Sequence, residues 1–251
     1  MSVRFRLLLL IASTIILLPA VVVLALGMPA FGAHPLPYGD AINRDAPGQR
    51  HISNMVSAVN FDYRGFDTMG EEFMLVTAVT GAVMLLRGTR GESPGAEPEE
   101  VPGRSVQPAG EAIVLICRLM LPVSLLFGIY VVLHATATPG GGFQGGVIIA
   151  SAVLLLYLGD GYRVWRSIVR SRLLHLCEGG AAAAFVLTGL VPMLLGHAFL
   201  ENILPTGQFR DMLAGWLMQI ENLAVAFAVA GGFAMLFLEF LEETRAPKGE
   251  E

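Results

Sequence analysis

Three carboxylates, Asp67, Glu71 and Glu72, stand within six residues where a polar segment gives way to an apolar run. Acids gathered at a membrane boundary can bind a cation such as Na+ through oxygen, or relay protons if burial raises a pKa. Asp62 and Arg64 lie just upstream. The same residues also suit a structural role. Thr68 with Glu71 three positions on reads as a capping box, and acids favour a helix N-terminus. Arg118 lies seven residues past Glu111 in another apolar run, about 10 Å inside at 1.5 Å per residue. An arginine there costs about 2.5–3.5 kcal/mol, and Pro122 leaves the Arg118 carbonyl without its helical donor. Its guanidinium can snorkel to the headgroups, pair with Glu178, or take part in ion movement. His197 and Glu201, at i and i+4, share a helix face and could relay protons or simply sit at the interface. His134, just before a glycine-rich stretch, offers the same choice. Glu239, near the end of the last apolar run, is unfavourable at a helix C-terminus and calls for a partner, such as one on another subunit.

The elements that carry these residues are membrane spans. With 54% hydrophobic and only 15% charged residues, the chain reads as an all-α, polytopic membrane protein, not a soluble core. Six runs, 7–28, 68–87, 111–134, 143–161, 177–199 and 219–241, are each long enough to cross a ~30 Å hydrocarbon layer. They are too continuous for the alternation of a barrel. Eleven Lys and Arg fall on one side of the spans and four on the other, which places both termini in the cytoplasm. Arg4 and Arg6 before the first run, with Ala30-Phe31-Gly32 after it, also fit a signal peptide; the length of the run favours a retained span. Cys117 and Cys177 show no metal or redox spacing and read as packing residues. A net charge of −5 with scattered arginines speaks against nucleic acid. No nucleophile–base pair, metal cluster or cofactor cradle stands out. The expected partners are the lipid bilayer and other membrane subunits.

A Gly/Pro/Glu stretch, 88–110, divides a two-span part (1–110) from a four-span part (111–251). The polar segment 29–66 is too long for a bare connector and is expected to be ordered against its neighbours. Between the third and fourth spans lies Pro139-Gly140-Gly141-Gly142-Phe143-Gln144-Gly145-Gly146. Gly140-x-Gly142-x-x-Gly145 matches a dinucleotide fingerprint as a pattern, but no strand precedes it and no acid follows about 20 positions on. The glycines fit a tight turn and close helix packing instead. Gly141/Gly145, Gly142/Gly146 and Ala228/Gly232 have the four-residue spacing of small-residue interfaces. Leucine at Gly141 and Gly145 is expected to block assembly, and alanine to be milder.

His134 through Gly146, with Ile148–Leu158, Thr188-Gly-Leu, Asn202–Gly207 and Ile220–Ala226, resembles the B subunit (MnhB type) of Mrp multi-subunit Na+/H+ antiporters. Asn60 through Glu71 is similar to the C-terminal tail of the antiporter's A subunit, which also occurs as the small E subunit of membrane-bound hydrogenases. The resemblance implies a fused accessory subunit in a complex exchanging Na+ for H+, with Asp67 and Glu71 beside the cation route and other antiporter or hydrogenase membrane subunits as partners. The remaining readings are a subunit of a redox-driven ion pump and a purely structural scaffold.

Overall fold

The computed structural model describes residues 3–28, 37–89, 110–209, 211 and 214–243. The linker 90–109 and the Ala30-Phe31-Gly32 site lie outside the described residues. So do the side chains of Arg87, Arg163 and Arg166. Among the described residues, six helices are long and apolar enough to cross a membrane. The chain divides into two compact units, residues 1–41 and 42–251. The first is dominated by α1 (Val3–Leu26), an apolar helix with Pro19 inside it.

The second unit holds everything else. Its outer segment begins in α2 (Pro37–Arg50) and continues through the single turn α3 (Met55–Ala58) and a π-helical turn, Val59–Tyr63. The spans follow: α4 (Gly65–Thr89), α5 (Glu111–Leu133), α6 (Gly142–Ile168), α7 (Ser171–Leu194) and α8 (Trp216–Glu243). Four of these begin earlier than their apolar runs suggest, α6 by a single residue. Hydrophobicity marks the part of a helix inside lipid, whereas the backbone ladder continues into the headgroup zone. In α7, for instance, Ser171–Leu176 adds a polar-flanked turn and a half before the apolar core. α6 breaks at Gly161, where φ is 77°, a conformation glycine adopts without steric cost.

α8 is the axis of the unit. It packs on α4, α5, α6 and α7, and 61% of its apolar window is buried, against 11% for α5. Ala224, Ala226, Ala228, Gly231, Gly232 and Ala234 make this possible, because small side chains let neighbouring backbones approach. Phe61, Phe185, Met218, Val225 and Val229 form one core. Val79, Val83, Trp165, Met235 and Leu238 form the other. The outer segment is indeed ordered from Ile42 onward. Ile42, Ala46, Ile52 and Ala58 belong to the first core, and the amides of Ser53 and Asn54 donate to the Thr136 carbonyl at 3.2 and 3.1 Å.

Candidate functional site

The turn between α5 and α6 is built from backbone groups held by buried amide side chains. Asn54 Oδ1 accepts from the amides of Val56 and Ser57, while its Nδ2 donates to the carbonyls of Ala135 (2.7 Å) and Thr138 (3.0 Å). Asn222 Oδ1 accepts from the Gly142 amide at 2.8 Å, and its Nδ2 donates to Ser57 Oγ and the Met218 carbonyl. Gln219 Nε2 donates to the Val132 carbonyl at 3.0 Å. A buried amide left unpaired costs about 1–3 kcal/mol. The network therefore ties the outer segment, the hinge and α8 into one arrangement.

The glycines face two different helices. A Cβ on Gly142 would lie 2.2 Å from the Asn222 carbonyl, and one on Gly146 2.8 Å from the Ala226 carbonyl, both on α8. A Cβ on Gly145 would lie 2.3 Å from Val132 Cγ2 and 2.8 Å from the Gly128 carbonyl, on α5. Gly141 abuts the side chains of Gln144 and Asn222, and Gly140 takes φ of 144°. Gly141 and Gly145 thus do not share one contact face as their spacing suggests, because Gly141 is the extended residue that precedes α6 (φ 163°, ψ −177°) while Gly145 already lies in the helix. Nor is alanine mild at Gly142 or Gly145, since the first methyl already overlaps. Pro139 is exposed in the turn. Phe143 is half-exposed, its ring edge-on to Phe233 at 6.3 Å.

Beside this hinge lies a cavity of about 430 Å³ whose polar lining includes Thr68, Glu71, Glu72, Gly141, Gln144 and Asn222. Glu72 is 4% exposed, and its Oε2 has no hydrogen-bond partner among the described residues. Glu71, one residue earlier, is exposed. Asp67 is elsewhere: it pairs with Arg64, its side chain 50% exposed, outside the cavity. The capping box does not form. α4 already starts at Gly65, and Thr68 Oγ1 donates to the Asn60 carbonyl at 2.7 Å. The π-helical turn supplies the acceptor that draws the threonine inward.

The other acids and histidines are dispersed. Arg118 pairs with Asp160 (Nε to Oδ1, 2.9 Å), not with Glu178. α5 packs against α6, whereas Glu178 on α7 turns toward α8, its Oε1 3.2 Å from where a Cβ on Gly232 would stand. Asp160 ends the α6 span, so Arg118 reaches toward the headgroups. Arg118→Leu is expected to lower the stability of the folded chain by only about 1 kcal/mol, in the range of exposed pairs, and to leave ion exchange per assembled complex unchanged. Thermal unfolding in detergent and vesicle flux measure the two quantities. A large loss of exchange at equal assembly would return Arg118 to the ion path. His134 caps α5 and stacks on Tyr130 at 4.0 Å. His197 Nδ1 and Glu201 Oε1 do meet at 3.0 Å, on a turn beyond the end of α7 and not along a helix. The Ala198 amide, with His197, holds the Glu201 carboxyl below its usual value. Glu239 is 1% exposed beside Leu238 on α8.

The burial of four polar groups escapes a linear reading. Asn54 and Asn222 look like ordinary helix-end residues until the chain folds. Asp62 is 2% exposed and ion-paired with Arg50. Burial raises its pKa, with the Arg50 charge opposing. Glu221 is wholly buried. The one linear signal was the density of polar residues at the head of the last span.

Residues 112–235 match the model of a domain related to the MnhB subunit of Na+/H+ antiporter. A protein of Methanocaldococcus jannaschii is 30% identical over 199 residues, covering 73% of this chain and 75% of that protein. Among solved structures, the membrane-bound sulfane sulfur reductase, an archaeal respiratory membrane complex, contains a chain with TM-score 0.73 and 26% identity. The match covers 93% of this chain and 97% of that one. The Mrp complex from Dietzia sp. DQ12-45-1b contains a chain with TM-score 0.72 and 22% identity. All of this chain aligns there, to 27% of the longer one.

Proposed function

Because this chain belongs to the family of the MnhB subunit of Na+/H+ antiporters, we propose that it is an accessory membrane subunit of a multi-subunit monovalent cation/proton antiporter. Its part is to line a section of the cation path and to hold neighbouring subunits together. The observation that carries this reading is the hinge cavity, where Glu71 and Glu72 of the first module face the glycine turn of the second. A carboxylate, an amide oxygen and backbone carbonyls are hard oxygen donors, the kind that alkali and alkaline-earth cations take. Residues 1–110 then act as the module similar to the A-subunit tail, and 111–251 as the B-subunit module.

The chain by itself is expected not to transport. Its buried acids sit on separate helix contacts and form no continuous wire. The test has two parts: purification of the tagged chain from native membranes with its partners identified by mass, and reconstitution alone in vesicles under a pH gradient. Co-purification with larger antiporter subunits and no Na+-dependent flux from the isolated chain are expected. Robust flux from the chain alone would overturn the accessory role. A second reading, a subunit of a redox-driven ion-pumping complex, is favoured by the likeness to the sulfane sulfur reductase chain over nearly its whole length. Co-purification with iron–sulfur subunits would select it.

A further inference from the structure

The contact between α7 and α8 carries an acid with no part in the hinge cavity. Glu221 is fully buried about five residues into α8 from Trp216. Its Oε1 lies 3.1 Å from Thr188 Oγ1 on α7, and its Oε2 has no hydrogen-bond partner among the described residues. Thr188 Oγ1 also lies 2.6 Å from the Phe185 carbonyl one turn earlier. A carbonyl can only accept, and a threonine hydroxyl has a single hydrogen. At 2.6 Å that hydrogen is engaged by the Phe185 carbonyl, so at 3.1 Å Thr188 offers Glu221 at most a shared one. The carboxyl group is thus left without a full donor on either oxygen. A neutral acid, which carries its own hydrogen, fits such a pocket better than a carboxylate.

The surroundings agree. A lone buried carboxylate is costly without a cation or several donors, and no Lys or Arg pairs with Glu221 among the described residues. The charge that reaches it from the π-helical turn is that of Asp62, which repels a second negative charge. The polar residues beside it in sequence on α8, Gln219 and Asn222, direct their side chains to Val132 and to Gly142, Ser57 and Met218. Asp62 in turn is paired with Arg50, whose side chain is 31% exposed. The π-helical turn that bears Asp62 packs on α8, so the nearest charged groups on this side of Glu221 are Asp62 and Arg50.

We propose that Glu221 is a proton-carrying site, held as the neutral acid against Thr188 and exchanging its proton with the side of the membrane that bears Arg50 and Asp62. Its part in transport rests on the antiporter reading; its protonation does not. Infrared spectra of the full chain in lipid nanodiscs at neutral pH are expected to show a protonated carboxylic-acid carbonyl stretch that shifts in D2O. Glu221→Gln removes that band, and Thr188→Val displaces it. In the assembled complex, Glu221→Gln is expected to lower cation-dependent proton flux by about tenfold or more, as for loss of a proton-transfer group, with Glu221→Asp retaining part of it. Identical infrared spectra for wild type and Glu221→Gln overturn the proposal outright. If Glu221→Gln fails to assemble, an unmoved band in Thr188→Val overturns it instead. A band that disappears while flux stays at the wild-type level makes the proton structural and overturns the carrier role. Absence of flux from the wild-type complex, with the band present, counts against the antiporter reading alone.

Discussion

Alanine at Gly142 is expected to prevent the bundle from closing, so that little folded chain and almost no assembled complex is recovered. The added methyl would stand 2.2 Å from the Asn222 carbonyl, 2.9 Å from Val225 Cβ and 3.0 Å from the Ala226 amide. The nearest of these is backbone, which cannot rotate away as a side-chain tip can. Separating α6 from α8 would also break the hydrogen bond from the Gly142 amide to Asn222 and unseat Ser57. Overpacking alone costs about 1–3 kcal/mol, and the stranded amide adds about 1–3 kcal/mol. Gly179→Ala is the control. Nothing stands within 4 Å of the position its methyl would take on α7, and alanine is favoured over glycine in a helix by roughly 1 kcal/mol. It should fold as well as the wild type or better. Native gels and thermal unfolding in detergent report both variants. Normal yield and midpoint for Gly142→Ala would mean that α6 and α8 do not approach as described.

The second large effect is expected at Glu72. Glutamine there keeps the shape of the side chain and removes its charge. If the buried carboxylate serves the cation in the hinge cavity, exchange should fall roughly tenfold in complexes assembled in equal amount. That is the scale of losing one charged contact of about 1.5–3 kcal/mol. Glu71→Gln should fall less, because Glu71 lines the same cavity from an exposed position. Asp67→Asn should stay near wild type, its carboxylate being turned to Arg64 outside the cavity. The order of the three variants matters as much as their size. Wild-type exchange in Glu72→Gln would remove the cavity from the cation path, and a loss confined to Asp67→Asn would move the path to the Arg64 side.

What the sequence by itself determined is the membrane-helical class, the number of spans and the place of the hinge. Runs such as Ala112–Leu133 must leave water whatever their neighbours do, and in lipid their backbones can pair only within a helix. The closeness of packing was also legible, since nothing but backbone contact explains glycine at Gly142, Gly145 and Gly146 together. Tertiary structure alone decided which helix each glycine meets, because spacing fixes which residues share a side of α6 but not which neighbour packs there: α8 covers Gly142 and Gly146, and α5 covers Gly145. It likewise decided partners across spans. Arg118 stands equally well against Glu178 or Asp160 on paper, and only the packing of α5 on α6 selects Asp160. The ranking of the acids has the same origin. Asp67 and Glu72 are alike as residues, yet the π-helical turn and the early start of α4 leave the first in solvent and bury the second. Burial is a property of the neighbours a side chain acquires, and for Glu72 and Glu221 those neighbours come from distant segments of the chain.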